Sequence, residues 1–159
     1  MTNVVRLFAA AAISAAGGVA VFAYPPAPPD DVMVIVIANG PHAGTYKPPT
    51  EEIICMDAKK QKQFAASYKD FDAKDPKAVS EGGINILNPD EPGPKQGHAL
   101  VAFGDPGKKP QVQYSFSIFK DTTGQLTFTR SPKGADLSFQ GKTPDGIAVR
   151  ITAKCTDID

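Results

Sequence analysis

GADLSFQGKTPDGIAVRITAKC (134–155) carries the clearest pattern in the chain. Ala135, Leu137 and Phe139 alternate with Asp136, Ser138 and Gln140. After GKTPDG (141–146), Ile147, Val149, Ile151, Ala153 and Cys155 alternate with Ala148, Arg150, Thr152 and Lys154. A period of two sends successive side chains to opposite faces of a strand. The two runs therefore read as an antiparallel hairpin, one face in a core and one in water, with a turn at 141–146. Cys155 falls on the inward face.

The same period extends upstream. In Gln111–Phe119, Val112, Tyr114, Phe116 and Ile118 point one way and Gln113, Ser115 and Ser117 the other. Gln125–Thr129 follows the turn Asp121-Thr122-Thr123-Gly124, with Leu126 and Phe128 on one face. His98–Phe103 is a strand stopped by Gly104-Asp105-Pro106-Gly107, and Gly83–Leu87 is a short one before the long polar turn NPDEPGPKQG (88–97). Glu51–Asp57 reads as a strand carrying Cys55. VMVIVIA (32–38) is continuous, β-branched and ended by Asn39-Gly40-Pro41, so it reads as a strand buried on both faces. GPHAGTYKPPT (40–50) is a loop or loose hairpin. Ala58–Tyr68 is the one helical candidate, because Phe64 and Tyr68 lie four apart and can share a helical face. About eight strands with turns roughly every 8–12 residues predict an all-β fold: an antiparallel β-sandwich, immunoglobulin-like or jelly-roll-like, with one short helix possible at 58–68.

The N-terminus predicts export. Arg6 is the only charged side chain before Asp30, and Leu7–Ala23 is apolar and small. Val21-Phe22-Ala23 fits the small-residue rule for signal peptidase, and Ala20 offers a second cut. As a membrane anchor the run falls short of the about 20 residues that span a bilayer, Gly17-Gly18 weakens it as a helix, and no basic cluster follows. The expected organisation is a signal peptide over 1–23, a proline-rich linker over 24–31 (YPPAPPDD) and one β-sandwich domain over 32–159, secreted or periplasmic, with no membrane span after cleavage. Removing 23 of the 159 residues leaves 136, enough for one domain. Cys55 and Cys155 are the only cysteines, and in an oxidising compartment two cysteines are expected to pair. Bridging about 100 residues stabilises by roughly 4–5 kcal/mol on the chain-entropy model.

Charge narrows the function. Lys and Arg number 17, as do Asp and Glu, and loss of Arg6 leaves the mature chain at −1. Nucleic-acid binding needs a basic surface and is not expected. Only Arg6, Arg130 and Arg150 are arginines, so bidentate carboxylate recognition is not an expected theme. The two histidines, His42 and His98, sit in no GxSxG or HExxH context, and with paired cysteines they supply no zinc set. His98 reads as an edge-strand residue. Asp70, Asp72 and Asp75 resemble half a calcium loop but lack its glycine and closing glutamate, so a solvated acidic loop is expected. Lys59, Lys60 and Lys62, and Lys108 with Lys109, read as solvated surface. Tyr46, Tyr68 and Tyr114 are rings that a sugar can stack on, but the strongest stacking residue, tryptophan, is absent.

GPHAGTY (40–46) followed by a first cysteine, and 134–155 ending in a second, resemble small exported bacterial β-sandwich proteins to which no activity is attached. The closing hairpin is also similar to that of mycobacterial lipoprotein antigens, whose lipid-bearing cysteine this chain lacks. Neither resemblance carries over a catalytic residue. The expectation is a non-enzymatic binding or envelope-structural domain without cofactor or metal, its partner an unidentified protein, glycan or lipid. His42 and Tyr46 are the candidate ligand-binding residues on loop 39–50, with 88–97 as a second candidate loop. The alternative is a secreted hydrolase that uses His42 with a nearby carboxylate.

Overall fold

The computed structural model describes residues 31–108, 112–119, 124–156 and 158. The expected signal peptide, all of the linker except Asp31, and most of the turn 121–124 lie outside them. Ten strands follow in order: β1 (Val32–Ile37), β2 (Gly44–Tyr46), β3 (Ile53–Ala58), β4 (Gln63–Lys69), β5 (Val79–Leu87), β6 (Gln96–Phe103), β7 (Val112–Ile118), β8 (Gly124–Ser131), β9 (Gly134–Lys142) and β10 (Ala148–Cys155). Helix among the described residues is confined to two 3-10 turns, Thr50–Glu52 and Lys59–Gln61, and none is long and apolar enough to cross a membrane.

The strands form two antiparallel five-stranded sheets, β2-β1-β10-β9-β8 and β3-β4-β5-β6-β7. The all-β sandwich is as expected, but its topology is neither immunoglobulin-like nor jelly-roll-like. Both of those need Greek-key connections between non-adjacent strands. Here each strand pairs with its neighbour in sequence, except where the chain steps between sheets and where β10 closes onto β1. Short turns dictate this, since a strand that reverses tightly can only pair with the one it has left.

The closing hairpin has the expected register, with Ile151 opposite Phe139, Ala153 opposite Leu137 and Cys155 opposite Ala135, all buried. Its turn is held by Ile147 N donating to Thr143 Oγ1 at 2.9 Å, with Gly146 at φ +85° where a side chain would be strained. The sheets meet through large apolar side chains. Phe116 on β7 packs on Phe139 at 4.6 Å, and Phe64 on β4 packs on Phe128 of β8 at 5.1 Å. β4 and β7 are three strands apart, so the β8–β9 ribbon crosses the second sheet rather than following one of its strands. Where β1 crosses β5, Gly82 makes room: a Cβ there would lie 2.6 Å from Ile35 Cδ1.

Cys55 on the edge strand β3 is bonded to Cys155 on β10, with Cα atoms 5.8 Å apart, so the disulfide ties one sheet to the other as expected. Asp31 is not linker: its carboxylate accepts from Thr156 N at 2.7 Å, fastening the start of β1 to the end of β10.

Two local readings are corrected. The helical candidate 58–68 is a 3-10 turn followed by β4. Phe64, Ala66 and Tyr68 point into the core and pair with Ile86, Ile84 and Gly82 of β5. A spacing of four is even, so it satisfies a strand as well as a helix, and Ala66 between the two rings decides for the strand. β1 is not buried on both faces. Met33, Ile35 and Ile37 are buried, whereas Val34 and Val36 are half-buried and Val32 is exposed, because nothing described covers the outer face of that sheet.

Candidate functional site

His42 and Tyr46 lie where the β1–β2 loop folds over the end of the core. Asn39 fixes the loop: its side chain donates to Gly146 O at 3.2 Å and accepts from Ala148 N at 2.9 Å, continuing the β1–β10 ladder by one rung. The His42 ring stacks on Phe103, centroids 4.2 Å apart, and Tyr46 meets the same ring edge-on at 5.3 Å. His42 Nδ1 is 3.1 Å from the Tyr114 hydroxyl, and Tyr46 donates its hydroxyl to the His42 carbonyl at 2.9 Å. Desolvation, then the negative charge of Asp145, hold Tyr114 above the ordinary phenol range, and burial does the same for Tyr46. Both phenols therefore stay protonated at neutral pH and serve as hydrogen-bonding groups. A hydrolytic site needs His42 beside a nucleophile, with a carboxylate to orient it. The hydroxyl it meets is a phenol, and among the described residues no carboxylate hydrogen-bonds His42. The geometry is that of an aromatic buttress for the loop.

A second convergence has no counterpart in the sequence reading. Arg130 at the end of β8 donates Nε to Asp90 Oδ1 at 2.8 Å, Nη2 to Asp90 Oδ2 at 3.0 Å and Nη1 to Asp57 Oδ2 at 2.8 Å. Its guanidinium lies over Phe128 and Phe64, 5.3 and 5.8 Å from the ring centroids. One arginine thus makes the bidentate carboxylate contact that composition argued against, because a single planar fork suffices. The clamp joins β8, β3 and the β5–β6 loop. Two carboxylates already occupy the guanidinium, so it offers no open anion site.

The open surface is the outer face of the first sheet. Val36 lies opposite Arg150, Arg150 opposite Gln140, and Gln140 opposite Gln125, forming one row across four strands. The next row brings Ala148 opposite Lys142, with Ala38 N bonded to Ala148 O at 2.9 Å. These rows floor a groove of about 660 Å³, edged by Gly124 and Gly141, where a Cβ would point inward against Phe139. The Gln140 amide donates to Gln125 Oε1 at 3.3 Å, which presets both side chains. Beside it, Thr127 and Ser138 share a hydrogen bond of 2.7 Å in a smaller hollow next to Thr152 and Lys154. Arg150 makes no ion pair with any described residue. Volume and lining fall within the range of small-molecule sites, mostly apolar with a few fixed polar groups.

The remaining candidates are dispersed. His98 is on β6, between β5 and β7, so it is not an edge residue; it points outward, 3.3 Å from Ser117 Oγ and edge-on to Phe119. Asp70 and Asp75 accept from the amides of Asp72 and Lys77 at 2.8 Å each, and among the described residues no three His, Cys, Asp or Glu converge as metal ligands. Lys62 pairs with Glu91 at 3.7 Å and Lys108 with Asp105 at 3.6 Å; Lys109 lies outside the described residues. Tyr68 and Tyr114 are buried, so neither presents a ring to a sugar. Beside the second candidate loop, 88–97, lies a hollow of about 270 Å³ lined in part by Asn88, Pro89, Asp90 and Glu91. Comparison with protein-family models, curated proteins and solved structures finds no match to the chain.

Proposed function

We propose that the protein is an exported, non-enzymatic binding domain, secreted or periplasmic, that takes its ligand on the outer face of the first sheet beside the β1–β2 loop. The observation that carries this reading is the groove at Val36, Ala38, Ala148 and Arg150, an apolar floor with a cation unpaired among the described residues, at one exposed end of the first sheet. Ala38, where the β1–β2 loop begins, lines this groove, whereas His42 and Tyr46 pack on Phe103 away from its lining. Export is supported by the signal-like segment 1–23 and by a disulfide that an oxidising compartment preserves.

Two measurements test the proposal. Mass spectrometry of the protein recovered from its producing cells, with and without reductant, is expected to show a chain beginning at Tyr24 and one reducible bond. An intact leader on a cytosolic, reduced chain overturns export. Amide-resolved NMR of the labelled domain, titrated with envelope extract, is expected to move resonances at Val36, Ala38, Ala148 and Arg150. Shifts confined to the His42 cluster, or none at all, overturn the site.

A further inference from the structure

The groove's chemistry narrows its ligand, and the inference rests on the reading just given. We infer that the outer face of the first sheet binds a single-chain anionic amphiphile, an apolar tail ending in a carboxylate. The outward side chains of β1 are Val32, Val34 and Val36, continued by Ala38, so this strand lays an apolar strip along the face. At about 3.3 Å per residue this strip runs roughly 20 Å, long enough to lie under an extended acyl chain. Arg150 stands directly across from Val36, exposed and without an ion pair among the described residues. Lys142 is its diagonal neighbour on β9, at the about 7–8 Å typical of such positions, so positive charge gathers beside the strip.

The charge is local. Across the chain 17 cations balance 17 anions, yet the outward-facing residues of β8, β9, β10 and β1 hold Arg150, Lys142 and Lys154 against Asp136 alone. Guanidinium and carboxylate match as donors and acceptors, and the pair gains strength beside an apolar surface that limits water. A neutral sugar would want an aromatic platform, and no aromatic side chain faces outward on these strands. A cation would want carboxylates in the groove, and among the described residues its lining holds none.

The test uses the full exported, oxidised chain and sodium dodecanoate below its micellar concentration, followed by calorimetry and amide-resolved NMR. Dodecanoate is expected to bind with shifts at Val36, Ala38, Ala148 and Arg150. Dodecyltrimethylammonium, which has the same tail and the opposite charge, and acetate, which has the same head without the tail, are expected to bind at least about ten-fold more weakly. Arg150→Gln is expected to weaken dodecanoate about ten-fold, and Val36→Thr several-fold, with the thermal midpoint of each variant unchanged. Equal binding of both charged amphiphiles, or affinity insensitive to Arg150→Gln, overturns the inference. If dodecanoate fails while envelope extract still shifts the same residues, the ligand class is wrong and the groove stands. If neither shifts them, both fall.

Discussion

Arg130 illustrates how much one side chain holds together. The Asp57 side chain it bonds is only 3% exposed, while Arg130 itself is 36% exposed. Removing the guanidinium would strand a buried carboxylate, a cost between that of a surface pair and that of a buried one. Arg130→Ala is expected to lose about 2 kcal/mol in denaturant unfolding, and Arg130→Lys to recover less than half, since an ammonium cannot fork. Asp90 is held below the ordinary carboxylate range chiefly by its hydrogen bonds from Arg130. A lowered native value means the contribution is complete above the unfolded value of about 3.9 and drains as pH falls through the native one. Asp90→Asn is therefore expected to flatten the acid limb of the stability profile; an unchanged limb would refute the coupling. Tyr114 has the opposite sign. Burial raises its native value, so its contribution is complete below about pH 10 and is lost as pH climbs through the higher native value. Tyr114→Phe is expected to cost about 1 kcal/mol at neutral pH and to blunt alkaline unfolding, followed by tyrosinate absorbance.

Among the elements, β3 depends most on a single bond. It is an edge strand, its Ile54 is 66% exposed, and Cys55 is the covalent link to the other sheet. Replacing both cysteines by alanine is expected to cost about 3–4 kcal/mol, read as a lower denaturant midpoint; a midpoint equal to the oxidised wild type would show the bridge to be idle. Gly134 tests the opposite end of the same bond. A Cβ there would lie 2.0 Å from the Cys155 carbonyl oxygen, so Gly134→Ala must displace backbone and is expected to cost about 3 kcal/mol by the same unfolding measurement. Strand periodicity was legible wherever apolar residues keep one parity, as from Ala135 to Cys155. It was ambiguous at Phe64 and Tyr68, where the spacing suits two geometries. β2 escaped notice because three residues, Gly44–Tyr46, are too few to show a period.

At the scale of the molecule, the disulfide-closed sandwich was legible because burial and strand parity are local facts repeated many times. The contacts that define sites were not. Arg130 finds Asp57 across 73 positions and Asp90 across 40, and no pattern in the intervening residues marks either pair. The groove had a faint signature in the continuous apolar run 32–38. Alternate residues of such a run need a cover, and where no layer supplies one the surplus marks an exposed apolar face. His42 and Tyr46 lie together, as their shared loop predicts, both packed on Phe103.

β1 is flanked by the three-residue β2 and by β10, the last strand to be made. VMVIVI must therefore wait, its amides unsatisfied on one side, until nearly the whole polypeptide has emerged. The first sheet thus closes only when both ends of the domain share one compartment, and so does the Cys55–Cys155 bridge that β10 carries.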